Sequence, residues 1–160
     1  MDAFKTVVND LVCNQVLVCS VISYFAAQIL KIFTTFYKER VFDLRLIFSS
    51  GGMPSSHSSS VCALAFSVAR VYGVGSPLFA LCVVISGVVM YDATGVRREA
   101  GKHATMLNQI VGDLFSGNSE YAQSALKELI GHTPLQVVMG ALLGTLIGLF
   151  FPALGPIFAV

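Results

Sequence analysis

Charge is scarce in this chain of 160 residues: Asp, Glu, Lys and Arg make up 12 % of it, against 55 % hydrophobic residues. A soluble domain of that length needs more polar surface, so the composition points to an integral membrane protein. The formal net charge is only +1. That leaves no strongly basic face for a polyanion, and no nucleic-acid partner is expected. Cysteine is sparse as well. Cys13, Cys19, Cys62 and Cys82 lie in apolar stretches, without the spacing of metal ligands or of a disulfide framework, and read as small buried hydrophobes. No cleavable leader is expected, because Asp2 and Asp10 accompany a single Lys5 and no small-residue cleavage site follows a short apolar core.

What is abundant is apolar sequence, in four runs. Leu11 to Leu30 carries no charge and reaches the roughly 20 residues that a membrane span needs. A second run extends from near His57 to near Tyr72, with Arg70 close enough to its end to snorkel to the interface. A third covers about Pro77 to Tyr91. A fourth begins at Pro134, a residue suited to a first helical turn, and runs past Phe151. Gly140, Gly144 and Gly148 form a small-xxx-small ridge in it, which lets helices approach closely and permits a homodimer. The expected fold is therefore all-α: a polytopic bundle of about four transmembrane helices.

Two polar connections remain, Lys31 to Ser56 and Asp92 to Thr133. In the second, Ala100, Ala104, Leu107, Val111 and Leu114 recur at helical spacing among Arg98, Glu99, Lys102 and Asp113. That pattern predicts an amphipathic helix on the membrane or over a site. With four antiparallel spans, both connections fall on one side. That side collects Lys31, Lys38, Arg40, Arg45, Arg97, Arg98, Lys102 and Lys127, together with His57, His103 and His132. The other keeps Lys5 and Arg70. Cytoplasmic loops carry the excess of positive charge, so this multi-pass protein is expected to hold its site on the cytoplasmic face.

The most unusual stretch is Gly51-Gly52-Met53-Pro54-Ser55-Ser56-His57-Ser58. Glycines and serines before a helix offer N–H groups and hydroxyls to an anion, and the helix dipole favours it. A Ser-rich turn with a capping role would use the same residues. His132 opens the fourth run, and Gln136 lies one turn on, where its amide can accept from an imidazole N–H. Two histidines and several cations at one face suit phosphoryl transfer through a covalent intermediate. One histidine attacks phosphorus, the other protonates the leaving oxygen, and Lys and Arg hold the equatorial oxygens. This chemistry requires neither a metal nor another cofactor.

These residues resemble the divergent type 2 phosphatidic acid phosphatase family, membrane relatives of acid phosphatases and vanadium haloperoxidases. The superfamily motifs are K-x6-R-P, P-S-G-H and S-R-x5-H-x3-D. Lys31 and Lys38 follow the first spacing, with Lys in place of Arg and Glu39 in place of Pro. Pro54-Ser55-Ser56-His57 matches the second, with Ser56 replacing Gly. The third is split between Arg97 or Arg98 and His132, and Gln136 stands where the acid is usual. Tyr91 to Arg98 and Leu107-Asn108 look characteristic of the divergent branch. Arg97 and His103 also fit the third spacing, but Leu107 then takes the acid position and no span follows. His132 is preferred, with His103 auxiliary.

The resemblance implies one integral membrane phosphatase-like domain over residues 1–160, hydrolysing a lipid phosphate monoester or pyrophosphate. His132 would be the nucleophile, His57 the general acid and Gln136 the group that orients His132. Lys31, Lys38, Ser55, Ser56, Arg97 and Arg98 would bind phosphate. Because an amide replaces the acid at Gln136, the alternative is a non-catalytic lipid-phosphate binder or transporter that keeps the pocket.

Overall fold

The computed structural model describes residues 2–40, 51–114, 126 and 131–151. Among these residues the secondary structure is helical: α1 (Asp2–Cys13), α2 (Gln15–Glu39), α3 (Ser56–Tyr72), α4 (Pro77–Thr94), α5 (Val96–Leu114) and α6 (Pro134–Phe150). α3 is central and packs against α2, α4 and α6. Two stretches, Gln15–Lys38 and Pro77–Leu114, are long and apolar enough to cross a membrane, and Pro134–Phe150 is a shorter apolar helix. The chain is a helical membrane bundle.

The helix boundaries follow from their caps. Asn14 interrupts the expected first run, its side chain accepting the Leu17 N–H at 3.1 Å and so starting α2. α2 then continues past Leu30. Ile32, Phe33, Phe36 and Tyr37 sustain the helix until Arg40 closes it in the left-handed region at φ 58°. The expected connection from Lys31 is thus corrected: Lys31 lies inside a helix. Ser76 caps α4 through the Phe79 N–H, with Pro77 in the first turn. The expected amphipathic helix is α5. On it, the Asn108 amide holds the backbone of Leu126, donating to its carbonyl at 2.9 Å and accepting its N–H at 2.8 Å. Arg45 and Lys127 lie outside the described residues.

The bundle is polar and small inside, apolar outside. Leu81, Val84 and Val88 on α4, and Leu135, Val138 and Leu142 on α6, are exposed. Such surface suits lipid and would be a liability in water. The buried residues of α3 are instead Ser56, Ser58, Ser59, Cys62, Ala63, Ala65, Ser67 and Val68. Lipid tails are as apolar as leucine, so burial of large side chains gives helices no reason to associate; close approach and hydrogen bonds do. Both are present. The Ser20 and Ser60 hydroxyl oxygens lie 2.8 Å apart, those of Ser23 and Ser59 2.7 Å apart, and Ser86 donates from α4 to the Val61 carbonyl at 3.0 Å. On α6 the glycine ridge is filled by α3 of the same chain. A Cβ at Gly140 would meet the Ser55 carbonyl oxygen at 2.3 Å, and one at Gly144 the Ser59 carbonyl oxygen at 2.0 Å. Arg70 donates to the Leu149 carbonyl at 3.2 Å, placing its charge at the negative end of α6.

Candidate functional site

The site is built where three backbone segments are tied together. Ser55 caps α3, its hydroxyl accepting the Ser58 N–H at 3.4 Å and the Ser58 hydroxyl at 3.0 Å. Its own N–H donates to the Gln136 carbonyl at 3.0 Å, which joins the start of α3 to the start of α6. His132 N–H donates to the Ala93 carbonyl at 3.1 Å, which joins the entry to α6 to the end of α4. Gly131 is required beside it: a Cβ there would stand 2.5 Å from the Arg98 backbone nitrogen and Cα. The α4–α5 junction, with Arg97 and Arg98, is thereby held against the His132 segment.

Lys31 reaches this place from α2. It is fully buried, and its Nζ donates to the Ser56 hydroxyl at 3.2 Å. Gly52, at φ +90°, passes over its stem: a Cβ there would touch the Lys31 Cγ and Cδ at 3.6 Å, and the positive φ would strain any other residue. Thr34 fixes the same crossing by donating to the Met53 carbonyl. The glycine-serine stretch therefore has two jobs. Gly52, Ser55 and Ser56 shape the site, while Ser59 and Ser60 bond α3 to α2.

His132 is 3 % exposed. Its Nδ1 lies 3.2 Å from the Gln136 Oε1, and that same oxygen accepts the Thr133 backbone N–H at 2.9 Å. An N–H can only donate, so the amide atom facing Thr133 is oxygen, which in turn requires Nδ1 of His132 to carry the proton. The lone pair is then on Nε2. Thr133 and Gln136 also form a capping box, so the orienting amide is itself fixed by the helix start. Burial, above all, holds the imidazole below its ordinary value. The Gln136 hydrogen bond acts in the opposite direction, and the charges of Lys31, His57 and Arg97 lower it further. These cations are thus near enough to be felt at His132.

His57, in the first turn of α3, packs edge-on to the Tyr24 ring at 6.1 Å between centroids. Lys31, Ser55, Ser56, His57, Arg97, His132 and Gln136 are therefore brought to one end of the bundle. The remaining residues stand apart. Lys38 is exposed at the last turn of α2, seven residues or about 10 Å along the helix from Lys31. Arg98 contributes its backbone at Gly131, and His103 is exposed on α5. Arg97 pairs with Asp92 at 3.7 Å on a half-exposed surface, a contact of little energetic weight there. Gln28 was missed by the sequence reading. It is 2 % exposed and donates to the Tyr24 hydroxyl at 3.0 Å. An amide near the end of an uncharged span was the available signal, since buried polar groups in membrane helices are costly.

Residues 12–147 match the Divergent PAP2 family. The chain is 39 % identical over 150 residues to the "Uncharacterized membrane protein YuiD" of Bacillus subtilis (strain 168), covering 88 % of this chain and 95 % of that protein. No solved structure matches it. On the match over most of its length, the chain belongs to the Divergent PAP2 family and is a phosphatase-related membrane protein.

Proposed function

We propose that the protein is a metal-independent phosphatase acting on a lipid phosphate monoester or pyrophosphate through a phosphohistidine at His132. The observation that carries this reading is the shared Gln136 oxygen, which leaves Nε2 of a buried His132 unprotonated. An imidazole kept neutral presents its lone pair at neutral pH. Nε2 attacks phosphorus while His57 gives a proton to the departing lipid oxygen. Water, deprotonated by His57, then attacks the phosphohistidine and releases phosphate, returning the proton to His57. Lys31, Ser56, Arg97 and the α3 N-terminus stabilise the equatorial oxygens; Ser55 contributes through the cap, and Lys38 and Arg98 belong to the outer rim. A lipid fits the setting, with its phosphate beside Lys31 and its tails alongside the exposed apolar faces of the bundle. The chain crosses the membrane about four times, with the site on the cytoplasmic face.

One observation favours the second reading, a lipid-phosphate binder or transporter. The partner of His132 is a neutral amide, which orients an imidazole without supporting its positive charge. A phosphate-release screen of purified protein in detergent against lipid phosphates, with a chelator present, separates the two. Vanadate-sensitive release supports the phosphatase. Saturable lipid binding without release supports the binder.

A further inference from the structure

Two buried polar atoms at the site have no hydrogen-bond partner among the described residues: His57 Nδ1 and Gln28 Oε1. Their chemistry is complementary, since an imidazole Nδ1 can donate and an amide oxygen can only accept. Tyr24 lies beside both, with its ring edge-on to His57 at 6.1 Å and its hydroxyl accepting from Gln28 Nε2 at 3.0 Å. Tyr24, Gln28 and Lys31 are spaced four and then three residues apart, so they share one face of α2. Lys31 on that stripe bonds Ser56, the residue next to His57.

We infer that Gln28 is a positioning residue for His57: the two atoms are not bonded to each other in this structure, and a rotation of either side chain would let Oε1 receive the Nδ1–H so that Nε2 is aimed at the reacting oxygen. His57 would then be held by Gln28 as His132 is held by Gln136, one glutamine per histidine, from different helices. The inference rests on the proposed role of His57 as general acid. Tyr24 holds the amide nitrogen of Gln28, which leaves Oε1 as the free acceptor. The charges bearing on His57 come from Arg97 on α5 and Lys31 on α2, and Gln28 and Tyr24 add none.

The test compares two substrates whose leaving groups differ in their need for a proton. An alkyl lipid phosphate departs as a basic alkoxide, whereas p-nitrophenyl phosphate departs as a stable phenolate. A positioned acid contributes about 10²–10⁴-fold to a step that needs one. Gln28→Leu should therefore lower kcat about tenfold or more on the lipid and less than about twofold on the aryl ester, with KM little changed, while Gln28→Glu retains lipid turnover and moves the basic limb of kcat to higher pH. Equal losses on both substrates would overturn the inference. Were His57→Ala also indifferent to the leaving group, the general-acid reading itself would fall. A second measurement is independent of turnover: ¹⁵N-histidine spectra of the protein in micelles, with His57 assigned from the His57→Ala variant. A protonated Nδ1 in the native protein that is lost in Gln28→Leu supports the pairing even if nothing is hydrolysed. An unchanged His57 signal would contradict it.

Discussion

His132 Nδ1 and Gln136 Oε1 lie 3.2 Å apart, and the Thr133 N–H meets the same oxygen at 2.9 Å. One amide oxygen thus fixes a helix start and a histidine tautomer together. Gln136→Leu removes the acceptor and frees the imidazole, and kcat should fall about tenfold or more, since a wrong tautomer alone can cost much more. Gln136→Glu keeps the acceptor and adds the missing charge, so activity should be retained or raised. Equal rates in all three proteins would remove Gln136 from the site.

The pH profile gives these variants a second readout. Burial disfavours the imidazolium of His132, so its neutral, nucleophilic form persists below the ordinary value of 6.5. The acidic limb of kcat/KM should accordingly lie below that of a free histidine and fall as pH drops through the lowered value. A carboxylate at position 136 favours the charged form and should move the limb to higher pH, and leucine should move it lower. A limb that does not respond to residue 136 would assign it to another group.

Packing of α6 on α3 predicts a sharp contrast between two glycines. At Gly144 a Cβ would stand 2.0 Å from the Ser59 carbonyl oxygen, whereas at Gly87 it meets nothing within 4 Å. Gly144→Ala forces two backbones apart and should cost at least about 1–3 kcal/mol. Gly87→Ala, inside α4, should be neutral or stabilise by up to about 1 kcal/mol. Unfolding in detergent measures both, and comparable stabilities would mean that α6 does not pack on α3 in this register.

The local parts of this arrangement were legible because they are written at short spacing. The cap at Ser55 and the His132–Gln136 turn need only four and five consecutive residues to be seen. The amphipathic stripe of α5 was readable from its period. Lys31 was misplaced because a lysine after an apolar run reads as the start of a loop, and only Gly52 crossing its stem and Ser56 accepting from it explain a buried ammonium inside α2. Ser20, Ser23, Ser59 and Ser60 look like ordinary polar interruptions until α2 and α3 are laid side by side. Gly131 and Gln28 likewise acquire meaning only from Arg98 and Tyr24, which lie far from them in sequence or on a face that no linear motif displays.

Orientation is open to direct labelling. The proposed topology has the end bearing His132 in the cytoplasm, on the expectation that cytoplasmic loops carry the excess of positive charge. In a background without the four native cysteines, a cysteine introduced between residues 115 and 120 should resist a membrane-impermeant thiol reagent on intact cells, and one near the C-terminus should react. The reverse pattern would invert the topology.

The central claim is that His132 carries the phosphoryl group, and quenching the purified protein with ³²P-labelled lipid phosphate into alkaline detergent, in the presence of a chelator, tests it most directly. A phosphoramidate is stable to alkali and labile to acid, so a protein-bound label of that kind should appear within one turnover in the native protein and in His103→Ala, and be absent in His132→Ala. Lipid hydrolysis without protein-bound label, or label that survives in His132→Ala and is lost in His103→Ala, would contradict the account.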